Sequence, residues 1–402
     1  MTSLQQTSSR ALEGVRVLDL TRLLPGPYAT YVLTGYGADV VKVEDTGNGD
    51  YARHSPPLEC SGFGAAFTAS NAGKRSVALD LKNAEHVEAF LHLIDGADVL
   101  VESFRPGIMQ RLGLGQEVLR RRNPRLIYCS ITGFGQLSDI AKLAGHDLNF
   151  EGLSGLLAQR PARPASNDQP AQPPALLGDL VGGSYSAVIA IMAAVLEQRT
   201  SGQGRFIDIS ITHGAMALMP LETVATLNQE RSVPFGESHL TGGHPFYGLY
   251  PTADGRMVAL GALEPKFWRV FCQHNGLDDL LVPGFDPMGE AAQPLRERLT
   301  TLLKTRTAAE WEKLGREWDC CMSPVLSVPE ALARVHDDGS QSISNSYQRD
   351  GQQPVQVLKG LSADLADPPR ELCPPPTQGE HTRELLLTAG VPLEAVERIT
   401  GN

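Results

Sequence analysis

The alternation of strand-like and helix-like segments is the feature that most constrains this chain. Short runs rich in Val, Ile and Leu predict strands at 15–20, 39–44, 77–81, 97–104, 126–135 and 204–211. Helical stretches lie between them, and we predict these at 25–38, 83–95, 116–122 and 176–199. Strands that alternate with helices favour a parallel sheet covered by helices. The sequence therefore predicts an α/β fold.

A second pattern begins near residue 247. Two strands joined by an Ala-Asp-Gly turn are predicted over 247–262, with helices at 265–275 and 293–318 and a last helix near 381–389. Irregular or loop segments are predicted at 158–175, 212–245 and 339–380. A chain of 402 residues is too long for one compact core, so we expect two domains.

Composition narrows the class of protein. The net charge is −11, and no apolar run reaches the roughly 18 residues of a membrane span, so we expect neither nucleic acid nor a membrane as a partner. The first 14 residues lack the apolar core of a secretion signal. The six cysteines are scattered without a CxxC motif, which indicates free thiols and a cytoplasmic location.

Three acid–base residues stand out. His146 in "AGHDLNF" is either a proton-transfer group or a histidine packed in the core. Asp179 in "GDLVGG" is either a plain helix N-cap or a catalytic carboxylate, beside N–H groups that suit an enolate oxygen. Glu264 in "MVALGALEP" is either a solvated strand end or a third functional carboxylate.

Cations in the first half of the chain form the other candidate set. They are Lys42, Lys74, Arg75, Lys82 and Arg105. Close to strand ends in an acidic protein, they predict a site for an anionic ligand, although a solvated face explains them equally well. The chain has no G-x-G-x-x-G, Walker A or G-x-S-x-G motif, and its histidines lack metal-ligand spacing. We expect no metal and no redox cofactor.

Taken together, the motifs resemble the class III CoA-transferase superfamily of the CaiB/BaiF type. The stretches that carry this resemblance are "LEGVRVLDLTRLLPGPYAT", "GADVVKVE", "GKRSVALDLK", "ESFRPGIMQRLGLG", "LIYCSITGFGQ", "GDLVGGSY", "GRFIDISI" and "PPPTQGEHTRELL". Three more, "AGHDLNF", "GGHPFYGLY" and "GALEPKF", are similar to motifs of its α-methylacyl-CoA racemase branch. In two places the chain departs from the pattern: "GQLSDIAKLAGHD" replaces the usual "GQTGP" turn, and Asp45 follows "VVKVE" where racemases carry a basic residue.

The resemblance implies roles for individual residues. His146 and Asp179 would be the acid–base pair, and Glu264 would orient the imidazole or raise the pKa of Asp179. The resemblance also implies CoA contacts, by Lys42, Arg75, Leu79, Lys82, Arg105, Gly145 and Asp147. CoA would enter as part of the substrate rather than as a cofactor.

The same resemblance implies an architecture. A large Rossmann-like domain would be built from both chain ends, residues 1–225 and 336–402, and a smaller α+β domain from residues 226–335. Two chains would interlock as a homodimer, and Glu264 of the partner subunit would complete the site.

The implied reaction inverts the α-carbon of a 2-methyl-branched acyl-CoA by proton transfer through an enolate. Two alternatives stay open at this point. The first is CoA transfer to a carboxylic acid through an acyl anhydride on Asp179, for which His146 has no essential task. The second is a catalytically silent acyl-CoA-binding protein.

Overall fold

The computed structural model describes residues 10–159, 164–165, 169–170, 173–229, 239–281, 292–337, 344–348, 353–359 and 373–401. Half of the predicted loop 158–175, and about half of 339–380, lies outside the described residues. The chain divides into two compact units. The larger takes in Met1–Ser154, Pro173–Leu218 and Ser342–Asn402, and the smaller Gly155–Gln172 and Met219–Gln341. The predicted domain limits, 1–225, 226–335 and 336–402, stay a prediction.

The strands, in chain order, are β1 (Arg16–Asp19), β2 (Asp39–Glu44), β3 (Arg75–Ala78), β4 (Val99–Glu102), β5 (Ile127–Thr132), β6 (Pro164–Ala165), β7 (Gln169–Pro170), β8 (Phe206–Ser210), β9 (Tyr247–Pro251), β10 (Met257–Gly261), β11 (Met322–Pro324), β12 (Ser344–Tyr347) and β13 (Val355–Leu358). The α-helices, in chain order, are α1 (Pro25–Gly35), α2 (Ala65–Asn71), α3 (Ala84–Asp95), α4 (Ile108–Arg111), α5 (Gln116–Arg122), α6 (Asp147–Ser154), α7 (Ser186–Ser201), α8 (Ile211–Met216), α9 (Pro220–Gln229), α10 (Pro265–Asn275), α11 (Gln293–Leu303), α12 (Ala308–Trp318), α13 (Val328–Asp337), α14 (Thr382–Thr388) and α15 (Leu393–Thr400).

The large unit is built on a six-stranded parallel sheet. Its strand order is β3-β2-β1-β4-β5-β8, which is the order of a doubly wound fold. Side chains alternate between the two faces: Val99 and Val101 join one apolar cluster with α1 and α7, while Leu100 joins the other with α3, α14 and α15. Both faces are therefore buried, as a parallel sheet requires. The six predicted strands are confirmed.

The last part of the chain closes the edge of this sheet. The backbone N–H of His381 donates to the Ser76 carbonyl at 2.9 Å, and the Thr382 hydroxyl accepts from the N–H of Ala78 at 3.1 Å. Arg53 donates to the carbonyl of Pro376 at 2.7 Å. Strand β3 is thus completed by residues that are 300 positions distant in sequence.

The small unit contains a three-stranded antiparallel sheet of order β11-β10-β9, packed on α10, α11 and α12. The predicted strand pair and the helix at 265–275 are confirmed. The single helix predicted at 293–318 is wrong, because Thr307 and Glu310 form a capping box that starts α12 anew. The irregular segment predicted at 212–245 contains α8 and α9.

The helix predicted at 176–199 is also partly corrected. It begins as a π-helical segment, Gly178–Tyr185, continues as α7, and ends at Gly202 in the left-handed conformation. Although the helix is apolar, it is not buried all round, because Ile189 and Leu196 are 70% and 66% exposed in this chain. The continuous stretch Gly178–Ser201 is long and apolar enough to cross a membrane. Core helices of globular proteins share this property, and the opposite side of α7 packs in the sheet's core.

Candidate active site

His146 lies immediately before α6, in the N-cap position. Its backbone N–H donates to the side-chain oxygen of Asn149 at 3.1 Å, and its carbonyl accepts from the N–H of the same residue at 2.8 Å. These local bonds fix the backbone, while the side chain of His146 is exposed. The alternative prediction of a histidine packed in the core is therefore wrong for this chain.

Asp147, the next residue, connects this helix to Asp179. Asp147 is 6% exposed, and its Oδ1 accepts a hydrogen bond from the backbone N–H of Asp179 at 2.7 Å. Gly178 makes this approach possible, since a Cβ at that position would lie 3.0 Å from the same Oδ1. Asp147, predicted to contact CoA, and Asp179, predicted to transfer a proton, are therefore in direct contact.

A third carboxyl group, Glu151, joins them from one turn further along α6. Glu151 is 1% exposed, and its charge and that of Asp147 interact. Glu151 Oε1 accepts from the N–H of Leu177 at 3.1 Å. Asp147, Glu151 and Asp179 are called the carboxyl cluster below.

The cluster changes the acid–base properties of Asp179 and Glu151. Burial, followed by the negative charges of Asp147 and Glu151, raises the pKa of Asp179 to about 7. Burial and Asp147 likewise raise the pKa of Glu151. Asp179 can therefore hold or release a proton near neutral pH. Sequence reasoning missed Glu151, although its spacing of four from Asp147 on a helix was a usable signal.

One detail of the predicted Asp179 environment is wrong. Asp179 does not cap a helix with its side chain, because it lies inside the π-helical segment that starts at Gly178. The N–H of Leu177 donates to Glu151, the N–H of Asp179 donates to Asp147, and the N–H of Leu180 donates to the Leu176 carbonyl. The binding of an enolate oxygen by later N–H groups of the segment stays a prediction.

The π-helical segment packs closely on α8. A Cβ at Gly182 would lie 2.6 Å from the carbonyl oxygen of Ile211 and 2.7 Å from the backbone nitrogen of Ala215. A Cβ at Gly214 would lie 2.2 Å from the carbonyl oxygen of Gly182. Only glycine permits this backbone approach, which fixes the segment that carries Asp179.

Glu264 belongs to the small unit. It occupies the N-cap position of α10, but its side chain makes no capping hydrogen bond. Cys321, which has a left-handed backbone, lies near it: burial and then the Glu264 charge raise the pKa of this thiol. The expected meeting of Glu264 with His146 and Asp179 stays a prediction.

The predicted CoA contacts occupy different environments. The Lys42 ammonium is fully buried, 2.8 Å from Asp50 Oδ2, and donates to the Thr21 carbonyl at 3.0 Å. Leu79 is also buried. Arg75 pairs with Asp39 at 2.6 Å, and Lys82 is exposed. The roles proposed for these residues stay predictions.

Arg105 and Gly145 lie where a ligand can reach them. Exposed Arg105 lines a cavity of about 590 Å³ with Glu102 and Tyr128, past the end of β4. Burial raises the pKa of Glu102 to about 7. Gly145 is partly exposed in the turn before His146.

A buried ion pair near β1 completes the electrostatics of the large unit. Lys74 Nζ lies 2.9 Å from Asp19 Oδ2, and both side chains are inaccessible to solvent. Burial lowers the pKa of Lys74 to about 8 although Asp19 opposes this. Burial also opposes ionisation of Asp19, but Lys74 and Lys42 outweigh it and lower the pKa of that carboxyl. Lys74 was predicted to help bind an anionic ligand, but its ammonium group pairs with Asp19 instead.

The doubly wound α/β unit and the carboxyl cluster are typical of an enzyme that transfers protons. Comparison with known proteins shows the family. The family model for CoA-transferase family III matches residues 12–382. The chain is 35% identical to the α-methylacyl-CoA racemase of Mus musculus over 96% of its length and 95% of the relative's. It is 31% identical to the succinate–glutarate CoA-transferase of Agrobacterium fabrum, with 96% of each covered.

Solved structures agree with this result. A CAIB/BAIF family protein from Brucella suis superposes with a TM-score of 0.76 at 26% identity, covering 95% of this chain and 100% of that one. The chain belongs to CoA-transferase family III. Racemases and CoA-transferases are both among its relatives, so the reaction must be argued from the site.

Proposed function

We propose that this protein inverts the α-carbon of 2-methyl-branched acyl-CoA thioesters. The observation that carries the proposal is the contact of Asp179 with Asp147, close to Glu151; burial and these two carboxyl groups raise the pKa of Asp179 to about 7. A racemase needs each of its two groups as a base in one direction and as an acid in the other. A carboxyl group with its ordinary pKa is a poor acid at neutral pH, because it is already ionised.

The proposed step removes the α-hydrogen as a proton. His146 accepts it on one face, and the electron pair of the C–H bond moves into the thioester carbonyl to give an enolate. Protonated Asp179 then donates its proton to the opposite face, which yields the other enantiomer, an imidazolium and a carboxylate. The reverse direction starts from these charge states. CoA is part of the substrate, and the step requires no electron transfer.

We further propose that two chains interlock, so that Glu264 of the partner subunit stabilises the imidazolium of His146 as an orienting carboxylate. Exposed Ile189 and Leu196 on α7 support a covered surface in the assembly. We expect the dimer to be obligate. Light scattering over a wide dilution range tests this, and a stable folded monomer near 43 kDa would contradict the shared site.

CoA transfer is the second candidate, and the identity to a CoA-transferase over 96% of the chain favours it. In that reaction Asp179 attacks as a carboxylate and forms an acyl anhydride. A pKa of about 7 leaves a large fraction of Asp179 protonated at neutral pH. The raised pKa therefore favours the racemase reaction. A silent acyl-CoA-binding protein on the same fold is the third candidate.

One experiment separates the three. A pure enantiomer of a 2-methylacyl-CoA is incubated with the protein in D₂O, with and without an acceptor carboxylic acid. The proposal expects α-deuterium incorporation and racemisation without the acceptor, whereas the Asp179→Asn variant should lose racemisation and keep α-deuterium exchange of one enantiomer only. Turnover that depends on the acceptor identifies a transferase, and silence in both conditions identifies a binding protein.

A further inference from the structure

We propose that Leu23, in the turn between β1 and α1, contacts the substrate and presents its apolar side chain to an aliphatic part of a CoA thioester. The inference rests on the proposed function, but only in that the ligand is a CoA thioester. The CoA contacts predicted from the sequence do not include Leu23. Three features of the turn support this role: its backbone conformation, the contacts that hold it and its place in the sheet.

The backbone of Leu23 lies in the left-handed region, with a φ of 67°. This conformation is disfavoured for a residue with a Cβ, which crowds the following carbonyl oxygen, and glycine is the usual residue there. Burial does not compensate for the strain, because Leu23 is 41% exposed. Glycine would therefore serve the fold at least as well, and a strained residue that the fold does not need points to a function.

Buried charges hold the turn in this conformation. The backbone N–H of Leu23 donates to Asp50 Oδ1 at 3.0 Å. The other oxygen of Asp50 lies 2.8 Å from the Lys42 ammonium, and both of these side chains are inaccessible to solvent. Lys42 also donates to the carbonyl of Thr21 at 3.0 Å, so the ion pair fixes the turn on both sides of Arg22. The backbone that carries the Leu23 side chain is therefore in place before any ligand binds.

The turn also lies where a sheet of this topology binds its ligands. It follows β1, which pairs with β2 on one side and with β4 on the other, so the strand order reverses at this point. In open α/β sheets, ligands bind in the crevice outside the carboxyl ends of the strands at such a reversal. Ser184 connects the turn to the proposed acid–base group. Its Oγ donates to the Pro25 carbonyl at 2.7 Å and lies 3.1 Å from the carbonyl oxygen of Asp179.

The chemistry of the side chain indicates which part of the ligand it would contact. A leucine side chain has no charge and no hydrogen-bonding group, so it gains free energy by covering apolar surface and not by binding phosphate. A 2-methylacyl-CoA carries aliphatic carbon in two places, the pantetheine arm and the acyl chain. Both offer Leu23 the same kind of contact, and ligands with different acyl chains distinguish them.

The variants Leu23→Gly and Leu23→Ala test the contact. Both remove the apolar side chain, whereas only glycine also relieves the backbone strain. Calorimetry measures the Kd of each variant for CoA, for a short racemic 2-methylacyl-CoA and for a long one. A CoA-transferase or a silent binding protein would bind the same ligands, so failure of the racemase reaction leaves this binding test intact. Leu387→Ala is the matched control, since Leu387 on α14 is 40% exposed in the same unit.

We expect both Leu23 variants to raise the Kd for at least the long thioester by about 3- to 10-fold, because part of a leucine contact is lost. Leu387→Ala should leave this Kd unchanged. Without ligand, Leu23→Gly should have a higher urea midpoint than Leu23→Ala, since glycine adopts the left-handed backbone without strain. An equal rise for CoA and both thioesters assigns the contact to the pantetheine arm, and a rise that grows with the acyl chain assigns it to that chain.

Two results would overturn the proposal. The first is a Kd for all three ligands that matches the value of Leu387→Ala. Light scattering then shows whether Leu23 contacts a second copy of the chain instead, because its variants would shift the protein toward the monomer. The second is a urea midpoint of Leu23→Gly below that of Leu23→Ala, since the left-handed backbone would then carry no strain.

Discussion

The backbone N–H of Asp179 donates a 2.7 Å hydrogen bond to the carboxylate of Asp147. This bond ties the π-helical segment to α6, so that one residue, Asp147, is adjacent in sequence to His146 and in contact with Asp179. The relative placement of the two proposed acid–base residues therefore depends on a buried polar contact rather than on a flexible loop.

Stability should depend on pH through Asp179. Its pKa rises from an ordinary 3.8 to about 7 on folding, so the folded state binds the proton more tightly than the unfolded state. Wild-type stability should fall as the pH rises from about 4 to about 7 and then level off. Asp179→Asn lacks this loss, and should be more stable at pH 8 by up to about 4 kcal/mol.

Urea unfolding at several pH values checks this prediction. The two proteins should converge near pH 4, where the aspartate is protonated in both the folded and the unfolded state. A stability difference that does not change with pH would show that Asp179 titrates normally.

Proton exchange should distinguish the two acid–base residues. His146→Ala should abolish inversion while allowing α-deuterium exchange of one enantiomer through Asp179, and Asp179→Asn should show the opposite preference. Removal of a positioned acid or base slows its step by about 10²–10⁴-fold. Mass spectrometry of each pure enantiomer in D₂O provides the measurement. Wild-type inversion in His146→Ala would end the racemase assignment.

A methyl group at Gly182 should displace the segment that carries Asp179 by steric overlap, without changing any charge. Gly182→Ala places its Cβ 2.6 Å from a backbone oxygen of α8. We expect a loss of about 1–3 kcal/mol, together with lower activity. Gly35→Ala is the control. Gly35 is the last residue of α1, and a Cβ there would meet no other atom, so the substitution should be neutral or stabilising by up to about 1 kcal/mol. Denaturant unfolding of both variants decides the question, and similar effects would argue against close backbone packing.

The buried pair of Asp19 and Lys74 should respond differently to single and double substitution. Lys74→Met leaves a buried carboxylate uncompensated and should cost about 3–5 kcal/mol in the free energy of unfolding. Asp19→Asn/Lys74→Met removes both charges and should lose clearly less. Urea titration at pH 7 measures both. A double variant as unstable as the single one would show that packing, not charge, dominates here.

The sequence predicted the sheet well, because continuous apolar runs such as 39–44 have few alternatives to a buried strand. It predicted helix limits less well where local chemistry intervenes, as at Thr307, whose capping box divides one predicted helix into two. Helix α8 was missed because six residues are too short to show a helical period. Burial, Asp147 and Glu151 together raise the pKa of Asp179 to about 7. The two carboxyl groups are about thirty residues away in sequence, so spacing could not reveal this shift.

Because His381 and Thr382 hydrogen-bond to β3, the edge of the large sheet cannot be completed until the end of synthesis. The chain emerges from the ribosome N-terminus first, so β1, β2 and β3 exist long before His381 and Thr382 can bond to Ser76 and Ala78. Residues 219–341, by contrast, are complete before the chain ends. During synthesis the small unit can therefore finish while the large one still has an open β-edge, the kind of surface that chaperones protect. A stop codon before residue 376 should release a chain whose small unit is whole and whose catalytic unit is not.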